Sequence, residues 1–232
     1  MESETQQWKR AAAESAVAMV KDGMVVGLGT GSTADLALAA LGERVRNGLR
    51  ISGIPTSEQT KSMARELGIP LSGFAEHQRT DIAIDGADEV DLPSMNLIKG
   101  RGGALLREKI VAAASQRLII IVDETKLVTR LGERTDVPVE VVPFGWQVTA
   151  GRLRELGAIP RLRNAATGQP FVSDGGHFIL DCDFISRRPD PSLAEDLDRV
   201  VGVIEHGLFF GMTAEVHVGG SSGVRVIGKE TA

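Results

Sequence analysis

Chemistry in this chain has four candidate seats. The first is Gly27-Leu28-Gly29-Thr30-Gly31-Ser32-Thr33. Glycines let the backbone turn sharply and present N–H groups toward a bound group. A helix start after the loop adds positive partial charge, and the hydroxyls of Thr30, Ser32 and Thr33 add donors. A phosphate fits such a cradle. The same stretch also serves as a tight strand-to-helix turn with no ligand, and Gly29-x-Gly31-x-x-Ala34 matches the loose dinucleotide fingerprint. Against the dinucleotide, Glu58 falls later than the usual acid, which stands about 20 residues on. The Gly-Lys-Ser/Thr ending of a triphosphate-binding loop is absent. The second seat is Asp85-Gly86-Ala87-Asp88-Glu89-Val90-Asp91. Carboxylates this dense repel one another unless they contact something. One can act as a general acid or base and another can hydrogen-bond sugar hydroxyls. A Mg²⁺ site and a plain solvated loop are the rival accounts.

The third seat is Lys99-Gly100-Arg101-Gly102-Gly103-Ala104-Leu105-Leu106-Arg107-Glu108-Lys109. N–H groups of the Gly-rich turn can hold an oxyanion. At about 100° per residue, Glu108 points with Ala104, Ala112 and Ser115 rather than with the charged face. A carboxylate among small, mostly apolar neighbours is desolvated, which moves its pKa up toward the range useful for proton abstraction. A surface Glu paired with a nearby Lys or Arg is the alternative. The fourth seat is Asp123-Glu124-Thr125-Lys126. Lys126 can reach a phosphate at the same sheet edge, although a capped helix start with an exposed Lys explains the residues equally.

Other chemistries are disfavoured. His77, His177, His206 and His217 show no metal-ligand spacing. Cys182, the single cysteine, reads as a small strand residue between Phe178 and Phe184 and lacks a nucleophile context. One cysteine excludes a disulfide framework and a zinc finger. The formal charge of −5 argues against broad nucleic-acid binding, which needs a basic face. No apolar run approaches the roughly 20 residues of a membrane helix. The acidic start, Met1-Glu2-Ser3-Glu4, is unlike a signal peptide, so the expected compartment is the cytoplasm.

The elements that must carry these seats alternate. Trp8, Ala12, Ser15/Ala16 and Met19 recur at helical spacing, and Met24–Leu28 follows as a buried strand. Helical periodicity resumes over 34–45. Leu49–Ile54 reads as a strand, 57–67 as a helix, 81–85 as a strand, 103–116 as a helix and 118–122 as a strand. Strands separated by helices predict an α/β fold: a Rossmann-like, mostly parallel sheet with helices on both faces. After about Leu131 the texture changes. Strand 139–143, helix 146–156, a hairpin over 171–184 around Asp174-Gly175-Gly176 and helix 192–200 predict a smaller α+β, ferredoxin-like domain. The expected division is a catalytic domain of 1–131 and 208–232 with a small domain of 132–207.

In this order and spacing, the four seats closely resemble ribose-5-phosphate isomerase of type A. Pro138-Val139-Glu140-Val141-Val142-Pro143 and Gly207-Leu208-Phe209 are also similar to that family, so the resemblance spans nearly the whole chain. It implies interconversion of ribose 5-phosphate and ribulose 5-phosphate with no metal or organic cofactor. By resemblance, Glu108 is the base that moves a proton between C2 and C1 through an enediolate. Asp85 resembles the residue that assists ring opening and proton transfer at oxygen. Asp88 and Lys99 resemble groups that position and polarise sugar oxygens. The substrate contacts implied are Thr30, Gly31, Ser32, Thr33, Asp85, Gly86, Ala87, Asp88, Lys99, Gly100, Arg101, Gly102 and Lys126, with Lys9 a further match near the N-terminus. Arg101 stands where some members have Gly and others Arg. A homodimer acting on a small sugar phosphate, with no nucleic-acid or membrane partner, is implied. The residues alone keep open a non-catalytic sugar-phosphate sensor and a nicotinamide-dependent oxidoreductase.

Overall fold

A computed structural model gives the fold and describes residues 3–92, 94–185 and 187–228. Met1 and Glu2 of the acidic start, and the last residues of the expected 208–232 segment, lie outside the described residues. In chain order the elements begin with α1 (Glu4–Val17), β1 (Val25–Leu28), α2 (Ser32–Arg46), β2 (Ser52–Pro55), α3 (Glu58–Glu66) and β3 (Ile82–Asp85). They continue with β4 (Glu89–Asp91), β5 (Asn96–Ile98), α4 (Leu105–Ala113), β6 (Leu118–Asp123), a short 3₁₀ turn (Glu124–Lys126) and β7 (Leu127–Val128). The rest are β8 (Val137–Val141), α5 (Trp146–Glu155), β9 (Ile159–Leu162), β10 (Phe178–Asp183), α6 (Pro191–Asp198), β11 (Val203–His206), β12 (Leu208–Phe209), β13 (Thr213–Gly220) and β14 (Gly223–Gly228).

The chain forms two compact units. The first contains 1–87, 107–127 and 212–232. Its sheet runs β14-β13-β6-β3-β1-β2, parallel throughout except for the antiparallel edge strand β14. β3 and β6 are apolar up to a terminal Asp and fully buried, as strands covered on both faces must be. α1 covers one face with small residues. Ala12, Ala13 and Ala16 are completely buried, and the helix contacts β13, β6 and α2. The approach is so close that a Cβ at Gly219 of β13 would overlap the Trp8 backbone carbonyl. His217, also on β13, is buried, and its Nδ1 lies 2.8 Å from Ser15 Oγ of α1. Burial holds its pKa below the ordinary imidazole value although Glu215 pulls the other way.

The second unit contains 88–106 and 128–211. Its larger sheet runs β11-β8-β10-β9, all antiparallel. With α5 and α6 this gives a ferredoxin-like β-α-β-β-α-β order, the β-α-β-β-α expected from the sequence with β11 added. A second small sheet runs β12-β5-β4-β7. The expected hairpin over 171–184 is replaced by a different pairing: β10 pairs with β8 and with β9. The turn at Asp174–Gly176 exists, closed by the Ser173 and Gly176 amides. The arm before it is held by side chains instead of a ladder: Ser173 Oγ donates to the buried Glu140 carboxylate at 2.6 Å, and His177 Nδ1 lies 2.9 Å from the same oxygen. Cys182 is a buried strand residue, as read from the sequence, and burial pushes its thiol pKa far up.

Gly219→Ala forces overpacking against a backbone carbonyl that cannot rotate away. We expect a loss of about 1–3 kcal/mol in denaturant unfolding, with α1 docking weakened first.

Candidate active site

Three parallel strands of the first unit, β1, β3 and β6, end along one edge, with Leu28 beside Ile84 and Asp85 beside Ile120. Ligands of open α/β sheets bind beyond such carboxyl ends. The loop after β1 is pressed against the end of β3. A Cβ on Gly29 would lie 2.6 Å from the Asp85 Cα and would overlap the Asp85 carboxylate. Only glycine permits this approach. Gly31, the N-cap of α2, has φ +112°, a second position that L side chains avoid.

Asp85 is buried (3 % exposed) and Oδ1 accepts from two backbone amides, Thr30 N–H at 3.2 Å and Gly86 N–H at 2.7 Å. These bonds fix one carboxylate oxygen beside the loop. Lys9 of α1 enters the same neighbourhood, with Nζ 3.1 Å from Ser32 Oγ. The loop thus gathers a helix N-terminus, two further hydroxyls and a cation. A dianionic group is what such a set attracts.

α4 brings the second carboxylate to this edge. Its C-terminal end meets the start of β3: Thr80 N–H donates to the Ala114 carbonyl at 3.0 Å, and the Thr80 and Ser115 hydroxyls are 2.6 Å apart. The helix therefore runs antiparallel to the strands, and its first turn lies at their carboxyl ends. Val111 packs directly on Gly27 of β1. Glu108 stands about one turn nearer the loop. It is buried (5 % exposed), on the face shared with Ala112, as its helical position predicts. Neighbouring Arg107 is the surface partner instead: Nη1 meets Glu58 Oε1 at 3.0 Å, and Lys61 holds the other Glu58 oxygen at 3.1 Å. These cations keep the Glu58 carboxyl below its usual range. Glu58 is thus an exposed ion-pair member. Lys126 ends the 3₁₀ turn after β6, half-buried, with Asp123 capping that turn through Thr125.

Asp88, Lys99, Gly100, Arg101 and Gly102 belong to the second unit. Asp88 Oδ2 accepts the Arg101 N–H at 2.9 Å, which joins the acidic stretch to the Gly-rich turn. Lys99 is buried (3 % exposed), with Nζ 5.7 Å from the Phe209 ring centre and its N–H donating to the Gly207 carbonyl. A buried ammonium over an aromatic face is a strong local cation. Arg163 anchors the turn by donating to the Gly100 carbonyl at 2.9 Å and the Arg101 carbonyl at 3.0 Å.

The acidic stretch is not one cluster. Glu89 accepts from the Gly132 and Arg134 amides, and Asp91 accepts from Ser94 Oγ. Among the described residues the one grouping with metal-ligand spacing is Asp198, Glu205 and His206. There His206 Nδ1 accepts the Leu208 N–H at 3.2 Å, so the ring proton sits on Nε2, facing Asp198 at 3.3 Å. A protonated Nε2 has no lone pair for a metal.

The family model for ribose 5-phosphate isomerase A (phosphoriboisomerase A) matches residues 52–223. The chain belongs to that family. The ribose-5-phosphate isomerase A of Gloeobacter violaceus is 58 % identical over 219 residues, covering 94 % of this chain and 95 % of the relative. The structure of ribose 5-phosphate isomerase A from Methanocaldococcus jannaschii superposes with TM-score 0.93 at 40 % identity, covering 97 % of this chain and all of that one. A D-ribose-5-phosphate isomerase in complex with phospho-erythronic acid superposes equally well, at 40 % identity and covering 97 % and 99 % of the two chains. As a ribose-5-phosphate isomerase, the enzyme interconverts ribose 5-phosphate and ribulose 5-phosphate.

Sequence reasoning passed over three residues under the isomerase's loop: Thr56, Ser57 and Thr60. Their signal was a run of hydroxyls at a strand-to-helix junction, which reads first as a helix cap. Gly29→Ala should leave a folded protein whose kcat/KM is reduced on the order of 10²-fold, because the added methyl displaces Asp85 or the loop by about an ångström. Steady-state kinetics alongside circular dichroism measures this.

Proposed function

We propose that isomerisation proceeds through an enediolate, with Glu108 as the base. In the open-chain aldose, the Glu108 carboxylate takes the proton from C2, and the electron pair forms the C1–C2 double bond while charge moves to O1. Return of that proton to C1, with the O2 proton passing to O1 as O2 becomes the carbonyl, gives the ketose. Proton count and oxidation level balance within the substrate, so the scheme calls for no external oxidant or cofactor. The observation that carries this reading is Glu108: a buried carboxylate in the first turn of α4, at the carboxyl edge of the sheet. Burial of this kind suits a base for a weakly acidic C–H.

The other roles follow the same logic. Asp85, held by two amides, assists ring opening and proton transfer at oxygen. Asp88 and Lys99 position and polarise sugar oxygens, and Gly100, Arg101 and Gly102 contact the substrate. The phosphate is assigned to the loop of Thr30–Thr33, with Lys9 and Lys126, and Gly86 and Ala87 contact the sugar. Holding a remote phosphate supplies binding energy that orients the reacting carbons. The relative's ligand, phospho-erythronic acid, is a phosphorylated sugar acid, which supports a phosphate grip combined with recognition of an anionic oxygen.

Glu108→Gln should lower kcat about 10²–10⁴-fold with KM little changed. Wild-type turnover should persist in excess chelator. Near-normal turnover of the variant removes Glu108 as the base, and loss of wild-type turnover on chelation removes the metal-free scheme.

We also propose a homodimer, in the cytoplasm, where a charged sugar phosphate that cannot cross a bilayer unaided is held. Among the described residues no helix is long and apolar enough to cross a membrane. Phe144, Val148 and Val201 are 93 %, 71 % and 90 % exposed. The stretches that carry them run side by side: Thr149 Oγ1 reaches the Val201 carbonyl and Val142 N–H donates to the Gly202 carbonyl. An exposed apolar group of this kind marks an interface. Light scattering should give twice the chain mass for wild type and a monomer for Phe144→Asp; a monomeric wild type defeats the proposal.

A further inference from the structure

Four hydroxyls meet beneath the β1–α2 loop, and the number of protons they carry dictates their directions. Thr30 Oγ1 lies 2.7 Å from Thr56 Oγ1, 2.9 Å from Ser57 Oγ and 3.0 Å from Thr60 Oγ1. Each hydroxyl has a single proton to donate. Thr56 donates to the Leu28 carbonyl and Thr60 to the Gly29 carbonyl, both at 3.0 Å. Carbonyl oxygens accept only. Ser57 donates to Thr60 Oγ1 at 2.9 Å, and its oxygen accepts the Thr60 N–H at 3.0 Å. With those three protons placed, Thr30 bonds to this cluster only by donating its own, to Thr56, Ser57 or Thr60. The Thr30 backbone N–H is occupied as well, donating to Asp85 Oδ1.

Both donors of Thr30 therefore point into the protein. We propose that Thr30 is a positioning residue that does not donate to the phosphate. It ties Asp85, through its amide, to the hydroxyl cluster at the start of α3, through its side chain. Thr56 and Thr60, each 1 % exposed, are positioning residues of the same unit. The phosphate is then left to the Gly31–Thr33 amides at the start of α2, the Ser32 and Thr33 hydroxyls, Lys9 and Lys126. This rests on the reading of the loop as the phosphate grip and divides its residues by task. Residues that touch phosphate should govern affinity, whereas Thr30 and its supports should govern the placement of Asp85 and hence the rate.

The test compares Thr30→Val, Thr56→Val and the double variant, with Thr30→Ser and Thr56→Ser as controls that keep the hydroxyl. The readouts are kcat and KM for ribose 5-phosphate and inhibition by inorganic phosphate. Each Val variant should lose about 10-fold or more in kcat while KM and phosphate inhibition stay within about 3-fold, because a lost positioning contact acts on the transition state. The double variant should be no worse than the poorer single one, since both break one network. The Ser controls should retain wild-type rates. Should Thr30→Val fail to fold, Thr56→Val against Thr56→Ser reads the same split. The proposal is overturned if Thr30→Val weakens phosphate inhibition and raises KM with kcat preserved, or if the two Val substitutions are fully additive. A wild-type enzyme that turns over substrate but ignores inorganic phosphate overturns the phosphate-loop reading itself, and this inference with it.

Discussion

The first unit is organised around the contact between the Gly29 backbone and Asp85. Two strand ends approach until no side-chain atom fits between them. The approach buries the Asp85 carboxylate and lets the Thr30 amide reach it. A buried carboxylate left unsatisfied would cost several kcal/mol. Here the Thr30 and Gly86 amides donate to one oxygen, which fixes the orientation of Asp85. α1 and α4 build on that frame. α1 delivers Lys9 to Ser32, and α4 delivers Glu108 to the same edge from the opposite chain direction.

The dense acidic segment after β3 illustrates how backbone geometry separates like charges. Strand pairing makes Glu89 and Asp91 part of β4, where they share a face but bond to different donors, Glu89 to backbone amides and Asp91 to Ser94 Oγ. Glu89 then serves as a cap for the amides of 132 and 134, a structural duty that explains its complete burial. Asp88 takes an amide from the Gly-rich turn. Each carboxylate finds its own N–H or O–H donor, so the repulsion feared from spacing alone is relieved by divergence.

Periodicity carried most of the alternating half of the chain. The apolar strands β3 and β6 and the burial of Glu108 were legible because both depend on regular 2- and 3.6-residue repeats. β4 and β5 were not, since three-residue strands lack enough alternation to stand out from a charged loop. The pairing of β10 with β9 was hidden for a related reason: β9 contains Pro160 and alternates weakly, while Asp174-Gly175-Gly176 advertises a turn that ends in side-chain bonds to Glu140. The cluster of Thr56, Ser57 and Thr60 was invisible as a site because its partner, Thr30, is distant in sequence and adjacent only once β1 and β2 pair.

Cys182 lies inert in the interior of β10, its thiol kept protonated by burial. The outside of the molecule is consequently silent to maleimides and similar electrophiles. A cysteine engineered onto the β1–α2 loop or the first turn of α3 would be the sole reactive sulfur in the chain. Fluorophores or spin labels can then be attached one at a time, without first stripping native thiols, to follow how these segments rearrange as sugar phosphates arrive and depart.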